Sequence, residues 1–401
     1  MGIGSADMQQ NNKQLDGLRG VAILWVIAYH LLACAGMHPS LERLPLIAGL
    51  LQTGWIGVMI FFALSGYLIT SNLVDVKGEP RYFVAFFCKR AARIIPVYLL
   101  LLGTFPIASV FWRPEHAGAV FNVDIPFWSH FIFIQNIYMA LSGYMGSGWL
   151  RVTWSLAVEV QYYCLIVVVV WLVPKRRLSL VLILTVVISM ITRYWVYSAG
   201  LTHAAFVTLT PCRIESFAFG GLVASYRRHA QSELYLGYTA GIGIVGALLF
   251  LAFANGWFGA YTQAVVPFYY TFLAVACASS VAIGVSHRKI FRFLEVPGLV
   301  NIGCTSYFLY LFHMPATLIC YSILLKSQPD GSTLGGVVLA LLSFLLCWLF
   351  ANVSYKYMEA PIMRYCKERL KRLNETPRQS TVFITPTPRA PVAPTTGAAE
   401  L

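Results

Sequence analysis

Long apolar runs recur along this chain, each close to the 20 or so residues that an α-helix needs to cross a lipid bilayer. Ten of these runs begin near Leu18, Trp55, Ala91, Thr153, Leu178, Ala205, Leu236, Val265, Leu299 and Leu334. Only 11% of the residues are charged, whereas soluble domains have about 25%, and the mean hydropathy is +0.69. Lipid must therefore surround most of the protein. The sequence predicts an all-α, polytopic transmembrane bundle of about ten spans.

The formal net charge of +13 comes from Lys and Arg that cluster between the apolar runs. If both termini are cytoplasmic, all the strong clusters fall on the cytoplasmic side, as the positive-inside rule requires. These clusters lie at 77–93, 175–177, 227–228, 288–292 and 367–372. Nucleic-acid binding would need a stripe of Lys and Arg on a soluble face, and the sequence shows no such stripe.

One further apolar stretch, 127–141, is shorter than a span and has Gln135 and Asn136 near its middle. If it crossed the bilayer, every later basic cluster would change sides, so we expect a re-entrant or interfacial segment. The predicted organisation is then a polar cytoplasmic N-terminus at 1–14, a transmembrane domain at 15–366 and a basic, then disordered, cytoplasmic tail at 367–401. The tenth span is expected to end near Glu359 and Pro361 at the membrane surface.

The first span, LDGLRGVAILWVIAYH, contains the ionisable residues Asp16, Arg19 and His30. Such residues inside a membrane are costly, which makes them candidates for function. Arg19 and His30 are eleven residues apart, so on a helix they share one face and lie about 16 Å apart along the axis. Arginine can hold a phosphate bidentately, and a neutral imidazole can remove a hydroxyl proton. Equally, Arg19 could be a membrane anchor paired with Asp16, and His30 an interfacial residue.

The third span opens with CKRAARIIP, which places Arg90 and Arg93 on one helix face. Two guanidinium groups at one level suit a diphosphate. Taken alone, a cytoplasmic positive cluster explains them better. With Arg19, however, three arginines would gather at one depth.

Two later spans also contain ionisable residues. Glu159, in TWSLAVEVQYY, could orient His30, bind an acceptor hydroxyl or pair with Arg151 or Arg193. His313, in NIGCTSYFLYLFHMP, is a second candidate for acid–base or substrate work, although a packed histidine explains it more simply.

Arg213 and Glu215, in TPCRIES, suggest a local ion pair that lines a cavity, and we assign no role to it.

The sequence gives no support for several common chemistries. None of the nine cysteines forms a C-x-x-C pair, so we predict neither a metal site nor a disulfide framework. The sequence also lacks a P-loop, G-x-G-x-x-G, H-E-x-x-H and G-x-S-x-G.

As a set, the motifs resemble the acyltransferase-3 family of bacterial membrane O-acyltransferases. Six stretches match in the family's order: LDGLRGVAILWVIAYH, GWIGVMIFFALSGYLIT, KRAARIIPVYLL, TWSLAVEVQYY, LVNIGCTSYFLYLFHMP and YMEAP. They extend from Leu15 to Pro361. At two positions many members of the family have an acidic residue, where this chain has Met59 and Val160.

The resemblance implies a multi-pass inner-membrane enzyme that transfers an acyl group, often acetyl, from coenzyme A to a hydroxyl of a carbohydrate or other small molecule. Acyl-CoA would be the donor, and no metal would take part. The family's Arg-x10-His pair falls on Arg19 and His30, and its Arg-x-x-Arg pair on Arg90 and Arg93. Its other motifs fall on Trp154, Ser155 and Glu159, and on Ser306, Tyr307, Leu309, Tyr310, Leu311 and His313.

These matches lead to an expected assignment of roles. His30 is the general base and Glu159 orients His30 or the acceptor, while Arg19, Arg90 and Arg93 bind the phosphates of acyl-CoA. Substrate or structural support is expected from Asp16, Trp154, Ser155, Tyr310 and His313.

Two other functions stay open at this stage. A transporter or flippase for a polar solute would also place charges inside the membrane, and inverted repeats would favour it. No similarity between the two halves is visible. A non-catalytic sensor of the same fold is the third reading, and loss of Arg19 or His30 would have supported it.

Overall fold

The computed structural model describes residues 5–112, 120–121, 124–226, 266–285 and 289–375. Within these ranges the secondary structure is helical throughout, with no β-strand, which confirms the predicted fold class. The first eight helices are α1 Ser5–Ala28, α2 Pro39–Glu42, α3 Pro45–Gln52, α4 Ile56–Asp75, α5 Tyr82–Phe111, α6 Trp128–Phe131, α7 Gln135–Ser142 and α8 Thr153–Leu172. They are followed by α9 Lys175–Ser198, α10 His203–Thr208, α11 Thr210–Tyr226, α12 Val266–Val285, α13 Pro297–Cys304, α14 Ser306–Leu324, α15 Leu334–Ser354 and α16 Ala360–Glu375.

In the described part of the chain, seven helical segments are long and apolar enough to cross a membrane. They are Lys13–Ala33, Ile56–Asp75, Tyr82–Phe111, Thr153–Leu172, Lys175–Ser198, Ser306–Leu324 and Leu334–Leu373. The chain is therefore a multi-pass membrane protein. The span predicted near Leu236 lies outside the described residues, as do the basic cluster at 227–228 and residues 376–401 of the tail. The count of ten spans and the cytoplasmic position of both termini remain predictions.

The stretch 127–141 forms two short helices rather than a span. These are α6, with four residues, and α7, with eight. Eight helical residues reach only about 12 Å, far less than a bilayer core. Gln135 and Asn136 are fully buried, and their amides donate to the backbone oxygens of Thr153 and Thr208. The polar residues that set this stretch apart in the sequence thus attach it to the bundle.

The predicted ninth and tenth spans differ from the structure at their ends. The run from Leu299 is divided at Thr305 into α13 and α14. The expected helix end at Glu359 and Pro361 is wrong, because a π-helical turn, Tyr355–Glu359, leads directly into α16. Pro361 is the second residue of α16 and follows this π-helical turn almost directly. The basic start of the tail is therefore helical as far as Glu375.

Helix α4 lies at the centre of the bundle and packs closely against α11. A Cβ atom added at Gly66 would lie 2.1 Å from the backbone oxygen of Phe217, and one added at Gly220 would lie 2.0 Å from that of Ala63. Small residues allow membrane helices to approach in this way. On its other side α4 packs against α1, which brings the first two sequence motifs together.

Candidate active site

A narrow cavity of about 80 Å³ lies between α1, α4, α5, α8 and α14. We call it the arginine cavity, and its polar lining includes Arg19, Arg90, Arg93, Glu159, Ser155 and Tyr310. Three arginines from two different helices therefore gather in one place, as the spacing of the motifs suggested. In this measure one water needs about 10–15 Å³, so the cavity has room for only a short row of small groups.

The three arginines of this cavity differ in their partners. Arg19 forms an ion pair with Asp16, one helical turn before it, at 2.5 Å. Arg90 lies over the ring of Tyr163, with its guanidinium carbon 5.3 Å from the ring centre. Among the described residues, no carboxylate lies within ion-pair distance of Arg90 or Arg93. Two guanidinium groups are thus available to an anionic ligand.

Glu159 belongs to the arginine cavity. Its carboxylate accepts hydrogen bonds of 2.6 Å from the hydroxyls of Ser65 and Tyr163. These contacts do not support the expectation that Glu159 orients His30, because His30 lines a different cavity. Pairing of Glu159 with Arg193 is also wrong, since Arg193 binds Glu215 instead.

A second and wider cavity, of about 500 Å³, lies beyond the first. We call it the aromatic cavity. Its lining contains His30 together with the aromatic residues Tyr29, Trp55, Trp154, Tyr269 and Tyr270. Trp154 and Ser155 are neighbours in the sequence, yet the first faces the aromatic cavity and the second the arginine cavity. A single motif thus contributes to both.

His30 lies in a π-helical turn, Tyr29–Ala33, that continues α1. Such turns occur often at functional sites. The ring nitrogen Nδ1 is 2.9 Å from the backbone oxygen of Val26. A carbonyl oxygen can only accept, so in the neutral ring Nδ1 carries the proton and Nε2 has the free lone pair. This is the form of histidine that can act as a base.

His313 lies beside His30, with the two ring centres 5.1 Å apart. Its Nδ1 is 2.8 Å from the backbone oxygen of Tyr310 and 3.1 Å from that of Leu309. The side chain is buried, and its Nε2 has no hydrogen-bond partner among the described residues. His313 thus packs against His30, and the backbone fixes the orientation of its ring.

The two cavities share three lining residues, Val58, Phe62 and Tyr310. The hydroxyl of Tyr310 is 2.6 Å from that of Ser155 and 3.1 Å from the backbone oxygen of Val152. These contacts hold the tyrosine between the arginines on one side and His30 on the other. A group that reaches along the arginine cavity would meet the aromatic cavity here.

The predicted local pair between Arg213 and Glu215 is wrong. Residues two apart point to different sides of a helix, and the Glu215 carboxylate pairs with Arg193, which is fully buried. Arg213 instead lines the aromatic cavity, where Arg151 and His203 also lie. Sequence reasoning considered Arg151 only as a partner of Glu159 and gave Arg213 and His203 no role. The only available signal was an arginine inside an apolar run.

Histidine, cysteine and acidic residues do not gather into a metal site anywhere in the described ranges. Both cavities are lined by residues that suit organic and anionic ligands rather than a cation.

Comparison with known proteins identifies the family and several relatives of this chain. A family model described as an acyltransferase domain matches residues 12–352. The peptidoglycan O-acetyltransferase OatA of Listeria monocytogenes is 29% identical over 382 residues, which cover 87% of this chain and 55% of that protein. The O-acetyltransferase OatA of Staphylococcus aureus is 25% identical over 92% of this chain and 59% of its own length.

A third relative is of similar length to this chain. The putative membrane-bound transacylase BcsY of Komagataeibacter xylinus is 27% identical over 84% of this chain and 82% of its own length. The chain thus spans a little more than half the length of the two OatA proteins. No solved structure matches it significantly.

Proposed function

Because the chain belongs to the acyltransferase-3 family, whose domain covers residues 12–352, we propose that it moves an acetyl group from acetyl-CoA to a carbohydrate hydroxyl. The observation that carries this proposal is the meeting of two unlike cavities at Tyr310. On one side lie Arg90 and Arg93, which have no carboxylate partner among the described residues, and on the other lies a histidine that can act as a base. In this proposal the enzyme belongs to the inner membrane and its arginine cavity opens to the cytoplasm.

The donor enters on the arginine side. Arg90 and Arg93 bind its phosphates together with Arg19, because guanidinium groups recognise phosphate bidentately. The bulky nucleotide stays at the mouth, and the slender pantetheine arm extends through the narrow cavity. Glu159 is available to accept a hydrogen bond from an amide N–H of that arm. The thioester then lies near Tyr310.

The acceptor occupies the aromatic cavity, where its hydroxyl faces His30. Nε2 takes the hydroxyl proton as the oxygen attacks the thioester carbonyl. A new C–O bond forms, the C–S bond breaks, and the coenzyme A thiolate leaves and takes up the proton from the imidazolium. His313 and the backbone oxygen of Val26 hold the His30 ring in place.

Replacing His30 with alanine tests this proposal. O-acetyl transfer is expected to fall by about 10²–10⁴-fold, the usual contribution of a general base. The readout is the acetate that mild alkali releases from cell-envelope carbohydrate in a deletion strain complemented with each variant. His38→Ala is the matched control, because His38 lines neither cavity. Its transfer should be unchanged.

A second measurement separates catalysis from donor binding. Acetyl-CoA should raise the unfolding temperature of the purified protein and of His30→Ala equally, whereas free neutral sugars should not reproduce this effect. A transporter would show no such preference for acetyl-CoA. Normal acetylation by His30→Ala at equal protein level would overturn the assignment of the base.

A further inference from the structure

Among the described residues, the lining of the aromatic cavity has positive charge and no carboxylate. Its described lining includes Arg151 and Arg213 but no aspartate or glutamate. Glu215, the nearest acidic residue in sequence to Arg213, is held by Arg193, whose guanidinium also donates to the hydroxyl of Thr271 at 2.7 Å. The acidic group that could have neutralised this cavity is therefore engaged elsewhere.

Arg213 is buried yet incompletely bonded. Only 4% of the residue is exposed. Its Nε donates to the backbone oxygen of Val207 at 3.0 Å, whereas Nη1 is buried and has no hydrogen-bond partner among the described residues. Burying a guanidinium group without its hydrogen bonds is costly, so this arrangement calls for a ligand.

Aromatic rings hold the Arg213 guanidinium in position. Its central carbon is 4.4 Å from the ring centre of Tyr270 and 5.7 Å from that of Trp154. Such cation–π contacts hold the guanidinium group in place, and its Nη1 stays without a partner among the described residues. Arg151, which lines the same cavity, also has a buried Nε without a partner among the described residues.

We propose that the aromatic cavity binds an acceptor saccharide through an anionic substituent, a carboxylate or a phosphate, held by Arg213 and Arg151. Oxyanions match the fork of a guanidinium group, and aromatic rings suit the apolar faces of a sugar. The sugar thereby presents a hydroxyl to His30. This inference rests on the proposed function, since it names the class of acceptor for the same site.

Direct binding to the full chain in detergent tests the idea without depending on catalysis. Methyl glucuronide and methyl glucoside differ in one carboxylate, so we expect the wild-type protein to bind the glucuronide at least about tenfold more tightly, as one charged hydrogen bond can give. Glucose 6-phosphate probes the phosphate form. Arg213→Gln should remove the preference for the anionic sugars, and Arg213→Lys should keep part of it.

The donor side gives the independent readout. Stabilisation by acetyl-CoA should be the same in Arg213→Gln as in the wild type, because Arg213 lies outside the arginine cavity. If acetyl-CoA did not stabilise even the wild-type protein, the proposed function itself would be wrong. Equal affinity of the wild type for charged and neutral sugars, or no binding of any anionic sugar, would defeat only the anionic acceptor.

A lipid phosphate is the other source of the same chemistry. Nanodiscs of phosphatidylcholine, with and without phosphatidylglycerol, distinguish it from a saccharide. If phosphatidylglycerol stabilises the wild type but not Arg213→Gln, and glucuronide and glucose 6-phosphate bind no better than glucoside, the cavity binds lipid and the proposal is overturned. Glucuronide binding in pure phosphatidylcholine supports it.

Discussion

The arginine cavity and the aromatic cavity share Tyr310 but differ in volume and in the charged residues that line them. The first is narrow, about 80 Å³, and places Asp16 and Glu159 near its three arginines. The second is wide, about 500 Å³, and its described lining has two arginines and no carboxylate. A narrow passage that contains both arginines and carboxylates suits an extended polar chain, and a wide aromatic space suits a rigid ring. This difference is the reason why the proposed function places the donor on one side and the acceptor on the other.

The largest expected effect is on the free energy of unfolding. It tests whether the two buried arginines near the aromatic cavity, Arg193 and Arg213, have different roles. Arg193 is fully buried and bonds to both carboxylate oxygens of Glu215. Breaking a buried pair by removing one partner costs about 3–5 kcal/mol, because it leaves an uncompensated charge. Glu215→Gln should therefore lower the free energy of unfolding by this amount, measured by denaturant titration in detergent.

Arg213→Gln is the contrasting variant. It removes a charge that has no carboxylate partner in the described structure, so its effect on the free energy of unfolding should be far smaller than that of Glu215→Gln. Glu42→Gln, at an exposed position, controls for the chemical change and should stay within about 0.5 kcal/mol of the wild type. Equal destabilisation by Glu215→Gln and Arg213→Gln would remove the distinction between a structural and a ligand-binding arginine.

A smaller effect is expected on donor affinity. Arg93 lines the arginine cavity and has no carboxylate partner in the described residues. A hydrogen bond to a charged group contributes about 1.5–3 kcal/mol, so Arg93→Gln should weaken acetyl-CoA binding by about 10–150-fold. Calorimetric titration of the purified protein with acetyl-CoA measures this change.

The same titration on Arg213→Gln provides the comparison between cavities. Arg213→Gln removes one guanidinium group, as Arg93→Gln does, but from the other side of Tyr310. Its affinity for acetyl-CoA should equal that of the wild type. If both variants lose donor affinity to the same extent, the two cavities do not divide the substrates as proposed.

The sequence predicted well those features that depend on local spacing. Arg90 and Arg93 are one helical turn apart, so their common face followed from helix geometry, and the apolar runs of α4, α5, α8 and α9 marked spans directly. The prediction that 127–141 is a re-entrant or interfacial segment rather than a span agrees with its two short helices.

Features that depend on distant pairing could not be predicted in this way. The sequence suggested only Arg213 as the partner of Glu215, and the packing of α9 against α11 brings Arg193 to it instead. Likewise, Glu159 is one turn into its helix, but spacing does not say which cavity that turn faces. The π-helical turns at His30 and before Ala360 were also missed, since each shifts the register without a distinct residue pattern.

The smallest expected effect concerns the carboxylate inside the arginine cavity. The Tyr163 hydroxyl donates to Glu159 at 2.6 Å, and Tyr163→Phe removes this bond while keeping the ring beneath Arg90. A hydrogen bond of this kind contributes about 1 kcal/mol, which corresponds to about a fivefold loss of acetyl-CoA affinity if Glu159 contacts the donor. Tyr98→Phe is the matched control, because the Tyr98 hydroxyl donates to the backbone oxygen of His130 at 3.0 Å and lines neither cavity. Both variants should lose similar stability, but only Tyr163→Phe should weaken donor binding. Equal donor affinity in the two would exclude Glu159 from the donor side.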